Sequence, residues 1–443
     1  MPQTTYHFPE GFIWGTATAA HQVEGSNHNN DWAAWENQPG RIHNEDKAGL
    51  ACDWWNGRWR EDLDRAAEAG QTAHRLSVEW SRIQPAPHRW DEDALDRYRA
   101  ILRGMLDRGI QPMVTLQHFT LPLWLAENGG WENDEIPGLF ETFVQRTVTA
   151  LKQYNTAWIT INEPNVVIYS SYIDGLFPPG KKEDIAAAWH AVLNIIRSHA
   201  LAYHAIHEIQ PKAQVGMAHQ YHGFIPARKY SPLDALIARV NHQSFNNVFP
   251  LALTNGRVRF LHKRTRLPHA AGTQDFFGLN YYTCEMVSFR PAPKNLFQKR
   301  WFPPEAEPSP FQFNASYPPG MFTALEWANT CGLPIHITEN GIEDSQDDFR
   351  RKYLLTHLHQ LWQALNHNIP VRSYYHWSLI DNFEWERGWD MQFGLWTFDR
   401  ETQVRTPRPS AALYAAICQQ NAISHELVEA YAPAVLPKLF PGG

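Results

Sequence analysis

Eight short runs of apolar and β-branched residues alternate with longer helical patterns along the 443-residue chain, and this alternation restricts the possible folds more than any other feature. The runs are FIWGTAT, TAHRLSV, QPMVTL, AWITIN, QVGMAH, FFGLN, PIHIT and VRSYYHW. Strands that alternate with helices form βαβ units, in which the strands pair in parallel. Eight such units fit a closed barrel better than an open sheet. We therefore predict an α/β protein in which residues 1–443 form a single (β/α)8 TIM barrel with long βα loops at its C-terminal face.

Glycine residues that can end a helix occur just before two of the predicted strands. The segment EDLDRAAEAG ends at Gly70 just before the second run, and DALDRYRAILRGMLDRG ends at Gly109 just before the third. Glycine readily takes the left-handed conformation that ends a helix. The least regular segment, residues 290–319, is rich in Pro and aromatic residues and lies between the sixth and seventh runs. We expect it to be a long loop over the mouth of the barrel.

Composition argues against several classes of function. The 39 basic and 46 acidic residues give a formal net charge of −7 without long like-charge runs, so we expect no nucleic-acid partner. The chain starts without a basic and apolar signal region, and no apolar stretch approaches the roughly 18 residues of a membrane span. The four Cys residues are scattered and include no CxxC pair. These features predict a cytoplasmic protein without a membrane partner, and they leave the oligomeric state open.

Polar and aromatic residues cluster at the strand ends, which in a barrel share one face. They are Gln22 after the first run, Arg75 in the second, His118 and Phe119 after the third, Asn162 and Glu163 at the fourth, Asn280 and Tyr282 at the sixth, Glu339 at the seventh, and Trp377, Glu384 and Trp385 at the eighth. Two carboxylates among amides and indole rings are typical of glycosidic bond cleavage. In that chemistry one carboxyl protonates the departing oxygen, and the other attacks the sugar or activates water.

The motifs TINEPN (160–165) and ITENG (337–341) resemble the acid/base and nucleophile signatures of glycoside hydrolase family 1. Further matching stretches follow in the family's order: FPEGFIWGTATAAHQVEG, RLSVEWSRIQP, PLWLAENGGW, FGLNYYT, HWSLIDNFEW and RTPRPSAALYAAI. The resemblance covers almost the whole chain. It implies a (β/α)8 barrel and a retaining β-glycosidase, usually a β-glucosidase with side activity on β-galactosides or β-fucosides. Its substrate would be a small β-glycoside or oligosaccharide, and it would need no cofactor or metal.

The resemblance also implies roles for the strand-end residues. Glu339 would be the nucleophile and Glu163 the acid/base. Gln22, His118, Asn162, Glu384 and Trp385 would bind the non-reducing sugar, Trp377 would pack beneath it, and Arg75, Asn280 and Tyr282 would hold the nucleophile. Glu339 must be ionised to attack C1, and a neighbouring cation and hydroxyl would favour that state. Glu163 must begin protonated, and we expect the negative charge of Glu339 to raise its pKa.

Two departures from the family pattern affect the sugar contacts. Phe119 follows the sugar-binding His where the family commonly has Trp, so an indole N–H donor is absent. Asn314 matches the position of a Trp platform for the leaving group, a surface that Trp301, Phe311 or Phe313 could replace. We expect the first change to relax specificity modestly, because one neutral hydrogen bond contributes only about 0.5–1.5 kcal/mol.

A third departure concerns phosphorylated sugars. Family members that take 6-phospho-sugars carry a Lys and a Tyr near the eighth strand, and the corresponding positions here are Met391 and Phe393. Because Glu384 is also an anion, we expect a 6-phosphate to be repelled. Thioglucosidase relatives replace the acid/base Glu with Gln, which the presence of Glu163 argues against.

Other interpretations remain open at this stage. Either catalytic Glu taken alone could be a turn or capping residue, Arg75 could pair with Glu79, and Tyr282 could be a core aromatic. Histidines at 199, 204, 207, 219 and 222 could suggest a metal site, but they lack carboxylate or Cys partners in sequence, so we predict no metal. The enzyme could also act chiefly as a transglycosylase. A non-catalytic sugar-binding barrel would require a lost catalytic residue, and none is lost.

Overall fold

Eight parallel strands form a closed barrel in this computed structural model, which describes residues 4–292 and 294–441. The strands are β1 (Ile13–Ala17), β2 (Ala73–Ser77), β3 (Gln111–Gln117), β4 (Ala157–Asn162), β5 (Gln214–Pro226), β6 (Phe276–Phe289), β7 (Ile335–Asn340) and β8 (Val371–Trp377). Each strand pairs in parallel with the next, and β8 pairs with β1, which closes the ring. The predicted TIM barrel is confirmed, and every predicted run forms one strand.

Helices connect the strands on the outside of the barrel. The main ones are Trp59–Glu68, Glu92–Leu106, Ile136–Leu151, Ile185–Ile209, Val248–Asn255, Pro318–Asn329, Asp348–Asn366 and Pro409–Gln420. The other α-helices in the described residues are Ala20–Val23, Asp31–Trp35, Trp80–Ile83, Leu123–Ala126, Pro164–Ile168, Pro232–Asn241, His425–Tyr431 and Leu436–Leu439. Gly70 and Gly109 have φ values of +77° and +73°, so each takes the left-handed conformation expected just after a helix.

Side chains from the strands fill the barrel interior and also pack against the helices. The interior cluster includes Ala17, Ala73, Met113, Ile159, Ala218 and Phe276, all buried. The alternation of strand side chains sends the neighbouring residues outward, where Leu76, Val114 and Val215 join the larger cluster under the helices. Both faces of the strands are therefore largely buried, which explains the nearly continuous apolar runs in the sequence.

Residues 290–319 are more regular than the predicted long loop. Within this segment Gln298–Trp301 pairs antiparallel with the end of β6, and Glu307–Pro308 pairs with Ala315–Ser316. Residue 293 lies outside the described residues. The segment does reach the mouth of the barrel, since Arg300, Phe302 and Phe313 line the cavity there.

Further two-stranded sheets lie outside the barrel. They pair Thr5–His7 with Ala422–Ser424, Arg257–Phe260 with Lys263–Arg266, and Trp396–Phe398 with Arg405–Pro407. Cys52, Cys284, Cys331 and Cys418 are all free thiols. Among the described residues, no helix combines the length and the apolar character needed to cross a membrane.

Candidate active site

A cavity of about 310 Å³ opens at the C-terminal ends of the barrel strands, within the size range of small-molecule sites. Most of the predicted site residues line it, namely His118, Phe119, Glu163, Tyr282, Glu339, Trp377, Glu384 and Trp385. The other predicted residues, Gln22, Arg75, Asn162 and Asn280, are fully buried behind this lining. Each of these four hydrogen-bonds to a residue of the lining.

Glu339 stands at the end of β7 and is held by two donors. Its Oε1 accepts a hydrogen bond from Arg75 Nη1 at 2.5 Å, and its Oε2 accepts one from the Tyr282 hydroxyl at 2.5 Å. Arg75 itself is 1% exposed and also donates to Asn162 Oδ1 at 2.6 Å. The alternative ion pair between Arg75 and Glu79 is not formed. A guanidinium and a hydroxyl thus hold the two oxygens of one carboxylate in place.

Glu163 follows β4 with a φ of +41°, in the left-handed region that costs a side-chain-bearing residue about 1–2 kcal/mol. It occupies the N-cap position of the helix Pro164–Ile168, but its side chain makes no capping hydrogen bond. Instead, Glu163 Oε1 accepts from Asn280 Nδ2 at 2.8 Å. Asn280, which was predicted to hold the nucleophile, thus donates to the predicted acid/base residue, and the donors to Glu339 are Arg75 and Tyr282. The left-handed turn therefore directs the carboxyl group into the cavity rather than onto the helix.

Burial raises the pKa of Glu163 to about 8, and the negative charge of Glu339 adds to that rise. The hydrogen bond from Asn280 and the charge of Arg75 act in the opposite direction. The raised pKa favours the protonated form of Glu163, which is the form that a general acid needs. The two carboxyl groups also have different partners, since Glu163 accepts from one amide and Glu339 from a guanidinium and a hydroxyl.

A chain of hydrogen bonds joins the two carboxyl groups. Asn280 Nδ2 contacts both Glu163 and, at 3.3 Å, Asn162 Oδ1, and that same oxygen accepts from Arg75, which binds Glu339. Thr338 Oγ1 donates to Asn280 Oδ1 at 2.5 Å and fixes the amide orientation. Since every link is buried, the relative positions of the two carboxyls are set before any ligand binds.

Two buried polar atoms near the cavity have no hydrogen-bond partner within the described residues. They are Gln22 Oε1 and His118 Nδ1. The opposite end of each side chain is fixed, since Gln22 Nε2 donates to Asn382 Oδ1 at 2.8 Å and Asn162 Nδ2 contacts His118 Nε2 at 3.1 Å. Burial, with a contribution from Arg75, holds the pKa of His118 well below its usual range, so the ring is neutral. Such orientated, unsatisfied polar atoms suit hydroxyl groups of a ligand.

Aromatic rings form one side of the cavity. The His118 ring lies nearly parallel to Trp377 and Trp385, with centroids 6.0 Å and 5.9 Å away. Phe119 packs against Trp385 at 4.9 Å, and both residues have positive φ values, +70° and +49°. Phe119 also lines a second cavity on its other side, with a volume of about 550 Å³. Flat apolar faces beside hydrogen-bonding groups are suited to the faces and edges of a sugar ring.

The cavity contains more acidic groups than the predicted pair. Burial raises the pKa of Glu384 well above its usual range, and the charges of Glu386, Glu339 and Glu163 raise it further. Burial also raises the pKa of Glu386. Four carboxyl groups, those of Glu163, Glu339, Glu384 and Glu386, therefore line one cavity.

The outer half of the cavity includes residues that the sequence analysis missed. Arg300, Glu285 and His222 form a small charged group there, with His222 Nε2 and Glu285 Oε2 3.0 Å apart. Arg387 lies over the Phe313 ring at 4.8 Å. No sequence motif marks these positions. The long extensions of β5 and β6 carry His222 and Glu285, and the strand Gln298–Trp301, which pairs with the end of β6, carries Arg300.

The three aromatic residues predicted to replace the leaving-group platform differ in whether they line the cavity. Asn314 Nδ2 donates to Glu343 Oε2 at 3.1 Å, so its amide anchors a neighbouring carboxylate. Trp301 and Phe311 do not line the cavity and are 37% and 40% exposed. Phe313 does line it, and it is the only one of the three predicted aromatic replacements to do so.

Four of the five histidines considered as metal ligands, all except His204, contact other polar groups of the protein. His199 bonds Thr160 and the Thr273 carbonyl, His207 bonds Asp275, and His219 bonds Gln274. Within residues 4–292 and 294–441, no three His, Cys, Asp or Glu side chains are grouped in a way that could hold a metal ion.

Several known proteins resemble this chain over nearly its whole length. Beta-glucosidase A of Thermotoga maritima is 34% identical over 94% of this chain and 98% of its own length. A beta-glycosidase structure from Pyrococcus horikoshii has 34% identity and a TM-score of 0.90, covering 97% of this chain and 98% of that one. A Thermotoga maritima beta-glucosidase in complex with glucoimidazole has 32% identity and a TM-score of 0.88, covering 94% and 100%. The family model for glycosyl hydrolase family 1 matches residues 4–423, and the chain belongs to that family.

Proposed function

We propose that this protein is a retaining β-glucosidase that releases terminal non-reducing β-D-glucosyl residues from short β-glucosides. The observation that carries the proposal is the pair of carboxyl groups with opposite environments. Glu339 is bonded to a buried guanidinium and a hydroxyl, whereas burial and a neighbouring negative charge raise the pKa of Glu163 to about 8. The names of the relatives at 34% and 32% identity support glucose as the preferred sugar.

In the first step Glu339 attacks C1, and the bond from C1 to the leaving oxygen breaks as Glu163 gives that oxygen its proton. The product is a glycosyl ester on Glu339. The ester no longer carries a negative charge, so the pKa of Glu163 falls and its new carboxylate can remove a proton from water. Water then attacks C1, which restores the β-configuration and frees Glu339. Both steps use only these side chains, so we expect no cofactor or metal requirement.

The remaining predicted residues would hold the sugar. Gln22 Oε1 and His118 Nδ1 offer buried, orientated polar atoms for hydroxyl groups, and Glu384 adds an acidic group. Asn162 precedes the acid/base residue and would reach the 2-hydroxyl, a contact that strengthens in the transition state. Trp377 and Trp385 would contact the apolar parts of the ring.

Sugars with a 6-phosphate are proposed to be poor substrates. Met391 and Phe393 are buried in an apolar cluster, with Tyr282 packed against that cluster and Phe393. Neither offers a positive charge, so a 6-phosphate would find no cation at these two positions. Burial raises the pKa of Glu384, so the repulsion expected from a Glu384 anion is weakened. The four free thiols are consistent with a reducing compartment, and we propose a cytoplasmic location.

Retention of configuration is the first expected result. Hydrolysis of an aryl β-glucoside should release β-glucose first, because two inversions at C1 restore the starting anomer. Proton NMR in the first minutes of reaction, before mutarotation, measures the anomer directly. Early appearance of α-glucose would contradict the covalent mechanism.

Two extensions of this assay test the alternative activities. Hydrolysis of β-galactoside, β-fucoside and 6-phospho-β-glucoside ranks the alternative substrates. Reaction in the presence of added sugar acceptors measures the fraction of glycosyl groups that is transferred to sugar instead of water.

Replacing Phe119 by Trp is expected to sharpen discrimination among sugars. Phe119 is packed against Trp385 but also borders the 550 Å³ cavity, so an indole has space to fit. Its N–H would add one donor, which is worth about 0.5–1.5 kcal/mol and hence a few-fold in kcat/KM. The measurement is kcat/KM for aryl glucoside, galactoside and fucoside. Phe119→Leu, which adds no donor, is the matched control; equal factors for all three sugars in the Trp variant would contradict the role.

A further inference from the structure

A strongly basic hairpin lies outside the catalytic cavity. It consists of Arg257–Phe260 and Lys263–Arg266 and is called the arginine hairpin below. Its antiparallel register places Arg257 directly opposite Arg266 and Arg259 directly opposite Arg264. Val258 and Phe260 alternate with these residues and are buried. The four arginines therefore share the outer face, and all four line one shallow groove of about 380 Å³.

No acidic side chain among the described residues pairs with the positive charges of these four arginines. Like charges directly opposite each other across two strands are destabilising. The chain contains no Asp or Glu between Asp234 and Asp275. All four arginines are exposed, and in the described parts of the chain no ion pair involves their side chains. A protein with a net charge of −7 thus concentrates four unpaired guanidinium groups on one small surface.

The spacing of the hairpin suits multiply charged oxyanions. Opposed residues are separated by about 4.5–5.5 Å, and residues two apart on one strand by roughly 6.4–6.8 Å. Each cross-strand pair presents two planar guanidinium groups, which bind phosphate oxygens in a bidentate manner. Two such pairs side by side can therefore hold two phosphoryl groups of one molecule.

We propose that the arginine hairpin is a binding site for a small polyanion with two or more phosphoryl groups. The basic patch is small, since one shallow groove of about 380 Å³ contains all four arginines. The net charge of −7 disfavours a long polymer or an anionic membrane, both of which extend beyond the basic patch. A small anion fits within the basic patch, so it contacts only the positively charged part of the surface.

Calorimetric titration with inorganic tripolyphosphate tests this site in the intact protein. We expect saturable binding of one molecule per chain with a Kd below about 1 mM at moderate ionic strength. The double variant Arg259→Gln/Arg264→Gln should raise the Kd at least about tenfold. The matched control, Arg89→Gln/Arg372→Gln, removes the same charge from two exposed arginines outside the groove and should leave the Kd unchanged.

A second variant separates geometry from charge. Arg259→Lys/Arg264→Lys keeps the charge but loses the planar donors, so its binding should weaken several-fold relative to the native protein. Hydrolysis of an aryl β-glucoside by each variant reports whether it is folded. Equal weakening in the groove variants and the Arg89/Arg372 control would overturn the site. Two further results would overturn the assignment to a small anion. One is a heat signal that sodium chloride reproduces at matched ionic strength. The other is tighter binding, per phosphate, of duplex DNA or phosphatidylserine vesicles.

Discussion

Replacing Glu339 by Gly is expected to lower kcat for an aryl β-glucoside by at least about 10³-fold, because no other group is placed to form a bond to C1. The change also leaves the buried Arg75 guanidinium without its carboxylate. Removing one partner of a buried ion pair leaves an uncompensated charge and destabilises a protein by about 3–5 kcal/mol. We therefore expect a lower melting temperature together with the loss of activity.

Azide or formate should restore part of both properties. A small anion in the space left by the Glu339 side chain would neutralise Arg75 and could attack C1 from the same direction. With azide the product should be the α-glucosyl azide, since a single displacement inverts the β-glucoside. Product NMR and the dependence of rate on azide concentration measure this outcome.

The matched control for the rescue is Glu339→Gln, which removes the charge but fills the same space. It should be as inactive as the Gly variant, and azide should not rescue it. Two outcomes would contradict the nucleophile role: a Gly variant that is active without added anion, and a rescue that yields the β-azide.

The barrel was predictable because its signals are local and repeated. Each apolar run became a strand, and Gly70 and Gly109 follow helices where the sequence predicted their ends. The grouping of the site residues was predictable for a topological reason. In a closed parallel barrel all strand ends meet at one face, so residues from distant parts of the chain could be placed together without knowledge of any side-chain conformation.

The contacts among those residues were not predictable, because they depend on side-chain orientation. The sequence gives no indication that Asn280 would bond Glu163 or that Asn162 would bridge to Arg75. The side-chain positions in residues 290–319 were unpredictable for the same reason. Of its aromatic residues proposed as replacements for the missing Trp, only Phe313 lines the cavity, a result set by two short antiparallel pairings.

The concentration of positive charge on the arginine hairpin was also not predicted from the sequence. Neither RVRF nor KRTR is a long like-charge run, because Val258, Phe260 and Thr265 interrupt the basic residues. The antiparallel register combines the two segments and stacks Arg257, Arg259, Arg264 and Arg266 on one face. A concentrated basic surface can therefore arise from two unremarkable segments, and the net charge of −7 does not reveal it.

Replacing Glu163 by Gln is expected to reduce kcat/KM for substrates with poor leaving groups by about 10²–10⁴-fold. Cellobiose, whose departing sugar must be protonated, should be affected most. A dinitrophenyl glucoside should be nearly unaffected in kcat/KM, because its leaving group departs without a proton. The kcat for that substrate should still fall, since the second step lacks the general base. The ratio of the two losses in kcat/KM is the quantity to measure.

The pH profile provides an independent test of the same role. Glu163 must be protonated to act as an acid, and its pKa is raised to about 8, so kcat/KM of the native enzyme should fall as the pH rises through that value. In the Gln variant this basic limb should flatten, since an amide does not titrate. Glu384→Gln is the matched control, because the pKa of that buried carboxyl is raised as well. As a proposed sugar contact, Glu384 should affect cellobiose and the dinitrophenyl glucoside equally and leave the basic limb in place. If Glu163→Gln instead lowers kcat/KM equally for both substrates, or retains the basic limb, then Glu163 is not the proton donor.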